Sequence, residues 1–156
     1  MRIRAYEARD ADGVALVFRR SIAALGPRDY SPEQVAAWGA RAPDAAGFHA
    51  RATDGRVFIV LANTDDRPVA FADLEADGHI DMLYAAPEVA GTGHVLLLYA
   101  TLEAIARQRG MTRLHSEASE GALRFFLKRG FLQLHRRDLT IGDVAIHNYA
   151  VEKRLE

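Results

Sequence analysis

The chain contains no cysteine. Disulfides, thiol nucleophiles and cysteine-ligated zinc are thereby excluded, and a reducing, cytoplasmic setting is expected. Neither charge is in excess: 20 Lys and Arg stand against 21 Asp and Glu, a formal net charge of -1. A general nucleic-acid binder carries a strong basic surplus, so no nucleic-acid partner is expected. Long apolar runs are missing as well. Nothing approaches the roughly 18 to 20 apolar residues that span a bilayer, and Met1 to Glu7 lacks the apolar core of a signal peptide. No membrane partner is expected. Repeats, low-complexity tracts and linker-like stretches are also absent, so residues 1–156 are read as one domain. The six histidines, spread from His49 to His147, show no metal-ligand spacing, and no metal is expected.

What is present is an ordinary globular balance, 49% hydrophobic and 26% charged. Arg2 to Glu7 reads as a strand. Asp10 is placed to cap a helix through Leu25, with Val14, Leu16, Val17, Ile22 and Leu25 as its apolar stripe. Ser31, Pro32 and Gln34 form a capping-box signature that starts a second helix. Val57–Ala62, Pro68–Glu75 and His79–Ala85 read as a strand meander. Val95–Arg109 is a helix stopped by Gly110, Leu114–Ala118 a strand, and Ser119–Arg129 a helix stopped by Gly130. Leu132–Leu139 and Ala145–Glu152 close the chain as a hairpin. The order β-α-α-β-β-β-α-β-α-β-β predicts an α+β fold with a mixed, mostly antiparallel sheet and a central βαβ crossover.

The strongest functional signal is the junction Ala90-Gly91-Thr92-Gly93-His94-Val95, where a strand feeds a helix. The first amides of a helix have no partner inside it and face the preceding turn. Reinforced by the helix dipole, they suit an anion, and glycines let the backbone approach one closely. A Walker A loop is excluded because no Gly-Lys-Ser/Thr follows. A dinucleotide fingerprint is excluded because Leu96 stands where the third glycine belongs.

A third phosphate-binding pattern fits. Ile80 to Pro87 (IDMLYAAP), Ala90 to Val95 (AGTGHV) and Ser119 to Phe131 (SEGALRFFLKRGF) resemble the splayed fourth strand, pyrophosphate loop and Asn-x-x-Ala-x-x-Phe-Tyr-x-x-x-Gly-Phe segment of the GNAT acyltransferases. Asp29 to Trp38 (DYSPEQVAAW), with Glu117 to Phe126 (EASEGALRFF), adds a likeness to the YafP-like bacterial branch. The resemblance covers essentially the whole chain. It implies the acyl-CoA N-acyltransferase fold, with helices on both faces of the sheet, and transfer of acetyl from acetyl-coenzyme A to a primary amine in a ternary complex. The acceptor would be a small molecule or peptide, and a homodimer would be in keeping with relatives.

The resemblance also assigns roles. Gly91, Thr92, Gly93, His94 and Val95 would turn their amides to the pyrophosphate, and Leu83, Tyr84 and Ala85 would offer strand backbone to the pantetheine arm. Ser119 and Phe125 would complete the coenzyme contacts, although Ser119 is also a natural helix cap. Attack by an amine needs a base, an oxyanion donor and an acid for the leaving thiolate. His79 is expected as the base with Asp81 beside it on one strand face, together with Leu83 and Ala85. Glu75 and Glu117 are lesser candidates. Phe126 stands where the family commonly has tyrosine, so Tyr84 or Tyr149 would have to supply the acid. Ala90, Val95 and Phe126 depart from the family pattern and keep a second reading open, a non-catalytic acyl-coenzyme A binding or regulatory module.

Overall fold

A computed structural model describes residues 1–156. The strands are β1 (Arg2–Ala5), β2 (Val57–Ala62), β3 (Pro68–Leu74), β4 (Leu83–Ala85), β5 (Arg113–Ala118), β6 (Leu132–Ile141) and β7 (Val144–Arg154). The helices are α1 (Ala11–Leu25), α2 (Pro32–Gly39), α3 (Ala45–Ala52), α4 (Gly93–Gln108) and α5 (Glu120–Lys128). The strands form two antiparallel sheets, ordered β1-β2-β3-β4 and β5-β7-β6. One parallel bridge between His79 and His115 joins them below β4. From that point β4 and β5 part, and α4 crosses over between them.

Two apolar clusters hold the layers. One packs β2 and β3 against α1 and α3 through Phe18, Phe48, Phe58 and Phe71; the other packs the opposite face against α4 and α5 through Leu98, Leu102, Leu123 and Phe126. β3 is buried on both faces, as its unbroken apolar run requires. Truncating Phe71, fully buried between the two layers, would cost about 3–5 kcal/mol.

Local chemistry explains most boundaries. Ser31 Oγ accepts from Gln34 N at 3.1 Å and Gln34 Oε1 accepts from Ser31 N at 2.9 Å, completing the expected capping box of α2. Gly142 and Asp143 make a two-residue turn, so β6 and β7 run closer to each other than the sequence reading placed them.

Four expectations need correction. α3 lies in a stretch that had been assigned no element; it buries only Phe48, so it has no apolar stripe, and Asp44 capping Gly47 N at 2.8 Å is its one local signal. Leu16, expected on the α1 stripe, is exposed, and Ala15 and Phe18 are buried instead. Asp10 does not cap α1 with its side chain. Its buried carboxylate instead meets Arg4 at 2.7 and 2.9 Å and the Glu7 amide at 2.8 Å.

The fourth correction concerns His79–Ala85, which is not one continuous strand. Asp73 N bonds Met82 O, whereas Glu75 N bonds His79 O, so two residues of β3 span three residues opposite. That bulge reverses the side-chain alternation. Ile80 therefore shares a core cluster with Leu83 and Ala85, and Met82 and Tyr84 belong to the other. His79 and Asp81 do not share a face with Leu83 and Ala85. Just before the bulge, Gly78 has φ +91 and lies so close to β5 that a Cβ there would meet Arg113 O at 2.0 Å. Only glycine closes the junction of the two sheets.

Candidate active site

The parting of β4 and β5 opens two connected cavities. The larger, about 650 Å³, runs along the start of α4; the smaller, about 340 Å³, lies between α2, β5 and the β6-β7 hairpin. Tyr30, Trp38, Leu83, Tyr84, Ser119 and Ala122 line both, so the cavities meet beside β4.

In the larger cavity Gly91, Thr92, Gly93 and Val95 all line the wall, with Leu83, Tyr84, Ala85, Ser119 and Phe125 around them. The amides of Gly91, Gly93 and Val95 donate to nothing else in the chain. Gly91 has φ +76, and a Cβ built on either glycine would meet nothing within 4 Å. His94 is the exception among the expected contacts. It is not on the wall, and its amide is taken by Thr92 Oγ1 at 3.4 Å, which makes Thr92 the cap of α4. Arg28, Arg124, Lys128 and Arg129 add positive charge to the same wall; Arg124 is held by Asp29 at 2.8 and 3.0 Å, and Arg129 lies over the Phe125 ring at 5.2 Å. Met82 and Ala86 bond to β3 through their backbones, so by alternation Leu83 and Ala85 turn their N–H and C=O to the open edge.

The smaller cavity has a polar floor. Glu117 and Asp81 line it, whereas His79 does not. His79 sits behind Glu117: its Nε2 meets Glu117 at 2.8 Å and its Nδ1 meets Glu75 at 2.7 Å. The Glu117 hydrogen bond, aided by Glu75 and opposed by partial burial, pushes the His79 pKa up to about 9. His79 is therefore cationic at neutral pH, and Glu117 is correspondingly held below its ordinary value. Asp81 is engaged by Arg51 at 3.2 Å and Arg56 at 3.4 Å. Arg56 also pairs with the fully buried Asp73 at 2.7 Å, whose pKa burial raises to about 6.

The fold also gathers His79, His115 and Glu117 so that one ligand atom from each lies within 4.8 Å of the others, a grouping that linear spacing did not reveal. In this structure the three are joined through hydrogen bonding and ring stacking, with His79 and His115 centroids 5.0 Å apart.

Of the acid candidates, Tyr84 reaches the meeting point of the cavities. Burial among Phe18, Trp38 and Phe71 raises its pKa well above the usual phenol value and keeps it protonated. Tyr149 does not; its hydroxyl donates to Glu120 at 2.8 Å. Phe126 is buried against Tyr99 and Phe131 and offers no proton. Ser119 accepts from Ala122 N at 3.3 Å, the capping role, while remaining on both cavity walls.

Residues 27–149 match the family model of the acetyltransferase (GNAT) domain. The chain belongs to the GNAT acetyltransferases. This acetyltransferase is 27% identical over 131 residues to the uncharacterized N-acetyltransferase YafP of Escherichia coli (strain K12), covering 84% of this chain and 81% of YafP. A crystal structure of a GCN5-related N-acetyltransferase from Rhodopseudomonas palustris is 37% identical, with a TM-score of 0.89 over 99% of this chain and 95% of that one. The PaiA N-acetyltransferase of Thermoplasma acidophilum, solved in complex with coenzyme A, shares the fold at 19% identity, with a TM-score of 0.77 over 99% and 98% of the two chains. No helix of this acetyltransferase is long and apolar enough to cross a membrane.

What sequence reasoning missed was part of the smaller cavity's wall. Arg41 and Arg51 come from the stretch that the sequence assigns no element, and His147 and Asn148 come from the far hairpin. No local motif marks them; only the packing of α2, α3 and β7 around one cavity brings them together.

Proposed function

We propose that residues 1–156 act as one unit that moves an acetyl group from acetyl-coenzyme A to a primary amine by direct attack. The observation that carries this reading is the set of unpartnered amides at Gly91, Gly93 and Val95, opening into a cleft that joins a polar cavity at Leu83 and Tyr84. These amides would hold the pyrophosphate, and the open edge of Leu83 and Ala85 would pair with the pantetheine arm. The coenzyme A complex of the Thermoplasma acidophilum neighbour supports placing the donor on this fold.

The amine enters from the smaller cavity. Of the two carboxylates that face it, Glu117 is the one not held by arginines, and His79 with Glu75 forms a hydrogen-bonded chain leading away from the cavity. In this reading Glu117 receives one amine proton and His79 holds Glu117 in place, with Asp81 fixed by arginines to shape the floor. The amine nitrogen bonds to the acyl carbon, the carbon–sulfur bond breaks, and a main-chain N–H on the open β4 edge steadies the oxyanion. Tyr84, kept protonated, donates to the departing thiolate.

Val95 at the cradle and Phe126 in place of an acid favour the second reading, an acyl-coenzyme A binding module without turnover. One assay separates the two. Acetyl-coenzyme A at millimolar concentration should raise the melting temperature, and free thiol should appear when amines are added. Stabilisation without thiol release from any amine supports the binding module; no stabilisation removes both readings.

A further inference from the structure

We infer that the acceptor is a zwitterionic amino acid-type molecule, a primary amine that also carries a carboxylate and an apolar side chain. The inference rests on the acetyl-transfer reading and adds the substrate class. It comes from the charge balance of the smaller cavity.

Four charged side chains line that cavity: Arg41, Arg51, Asp81 and Glu117. Arg51 and Asp81 answer each other. Glu117 shares the single cation of His79 with Glu75, which flanks it from the side away from the cavity, so this trio keeps one formal negative charge. Arg41 is different. Its side chain has no carboxylate or hydrogen-bond partner, and its only hydrogen bond is through its backbone, to Trp38 O. A guanidinium with five donors and no acceptor, set on the wall of a partly apolar cavity, is a ready partner for a carboxylate.

The same cavity offers Glu117 for an ammonium group. A simple cationic amine would satisfy Glu117 but add positive charge to a cavity that already has an unanswered arginine. A zwitterion satisfies both and leaves the cavity neutral. Leu139, Ile141 and Ile146 with Trp38 give the same cavity an apolar part that suits a side chain. A volume of about 340 Å³ holds a molecule of amino-acid size.

The test uses matched acceptors: L-phenylalanine with 2-phenylethylamine, and L-leucine with 3-methylbutylamine. Thiol release is followed with saturating acetyl-coenzyme A, for the native protein and for Arg41→Ala. Arg41 is exposed, so the fold should survive its loss, and a melting curve checks this. Removing the carboxylate also raises the amine's own pKa, so the deciding quantity is how the variant changes each member of a pair. Arg41→Ala should lower kcat/KM for the amino acids by about tenfold, mostly through KM, and for the plain amines by less than about twofold. Arg41→Lys should recover part of the loss. Equal effects on both members of a pair, or none on either, overturn the zwitterionic acceptor and leave acetyl transfer standing. Absence of thiol release from every acceptor overturns both.

Discussion

Two helices of this protein begin in the same way and end up with opposite uses. α4 and α5 each follow a strand of the parted sheet, and each starts on a hydroxyl cap, Thr92 and Ser119. At α5 most of the free amides are consumed, and only Gly121 N–H is left open. Ser119 takes Ala122 N, and the Tyr30 hydroxyl accepts from Glu120 N at 3.1 Å while donating to His147 O at 3.0 Å. Glu120 then places a carboxylate in the first turn, where the helix dipole favours it. At α4 only His94 N is capped; Gly91, Gly93 and Val95 N–H stay open, and the first turn has no acid. The difference teaches where binding energy is kept. α5 spends its dipole mostly on internal structure, and α4 leaves its own open to the larger cavity.

The largest expected effect comes from making α4 resemble α5. Gly93 lacks positive φ, and a Cβ there meets nothing, so Gly93→Asp should be tolerated by the fold. The new carboxylate at the first helical position should stabilise the helix by a few tenths of a kcal/mol. It would also occupy the anion site, and acetyl-coenzyme A affinity should fall roughly a hundredfold. Calorimetric titration together with a melting curve reads the two opposite signs. Unchanged affinity would remove the pyrophosphate from this turn.

The converse change removes the cap of α5. Ser119→Ala should destabilise the protein by about 1 kcal/mol, read as a lower denaturant midpoint. Acetyl-coenzyme A affinity should stay within about threefold, because a neutral hydroxyl contributes little beside charged and amide donors. A loss of affinity much larger than the loss of stability would make Ser119 a coenzyme contact before it is a cap.

This contrast marks how far the sequence can be read. The α4 turn and the α2 and α5 caps were legible because glycine freedom and capping geometry depend on residues within four positions of one another. The fold class followed from apolar periodicity and strand order. The base-side geometry was not legible, for physical reasons. The bulge at His79–Ala85 arises because Gly78 and Ile80 must meet β5 while Met82 still bonds β3, a conflict between two partners that strand parity does not encode. His79 and Glu117 were both candidates, but only the meeting of the two sheets puts Glu117 on the cavity wall and His79 behind it. The α4 and α5 openings show the same limit. Both sequences carry a cap residue, and it is Tyr30, distant in sequence, that closes one of them.

The smallest predicted effect tests the electrostatic half of the comparison. Glu120 is held below its ordinary pKa, first by its hydrogen bond to His147 at 2.7 Å and further by Tyr149. A carboxyl group with a depressed folded pKa stabilises the protein above its unfolded value, and that contribution is lost as pH falls through the folded value. Glu120→Gln should therefore lower stability near neutral pH by less than about 1 kcal/mol, since the carboxylate is partly exposed and screened. The gap between native and variant denaturation midpoints should narrow as pH is brought below 4.5, the ordinary value for this group, and close under more acid conditions. Acetyl-coenzyme A binding to the variant at neutral pH should match the native protein, because Glu120 is not on the wall of the larger cavity. A gap that stays constant across the acid range would mean that Glu120 acts at α5 through packing and neutral hydrogen bonds. The two helix starts would then differ in shape, with no electrostatic division of labour between them.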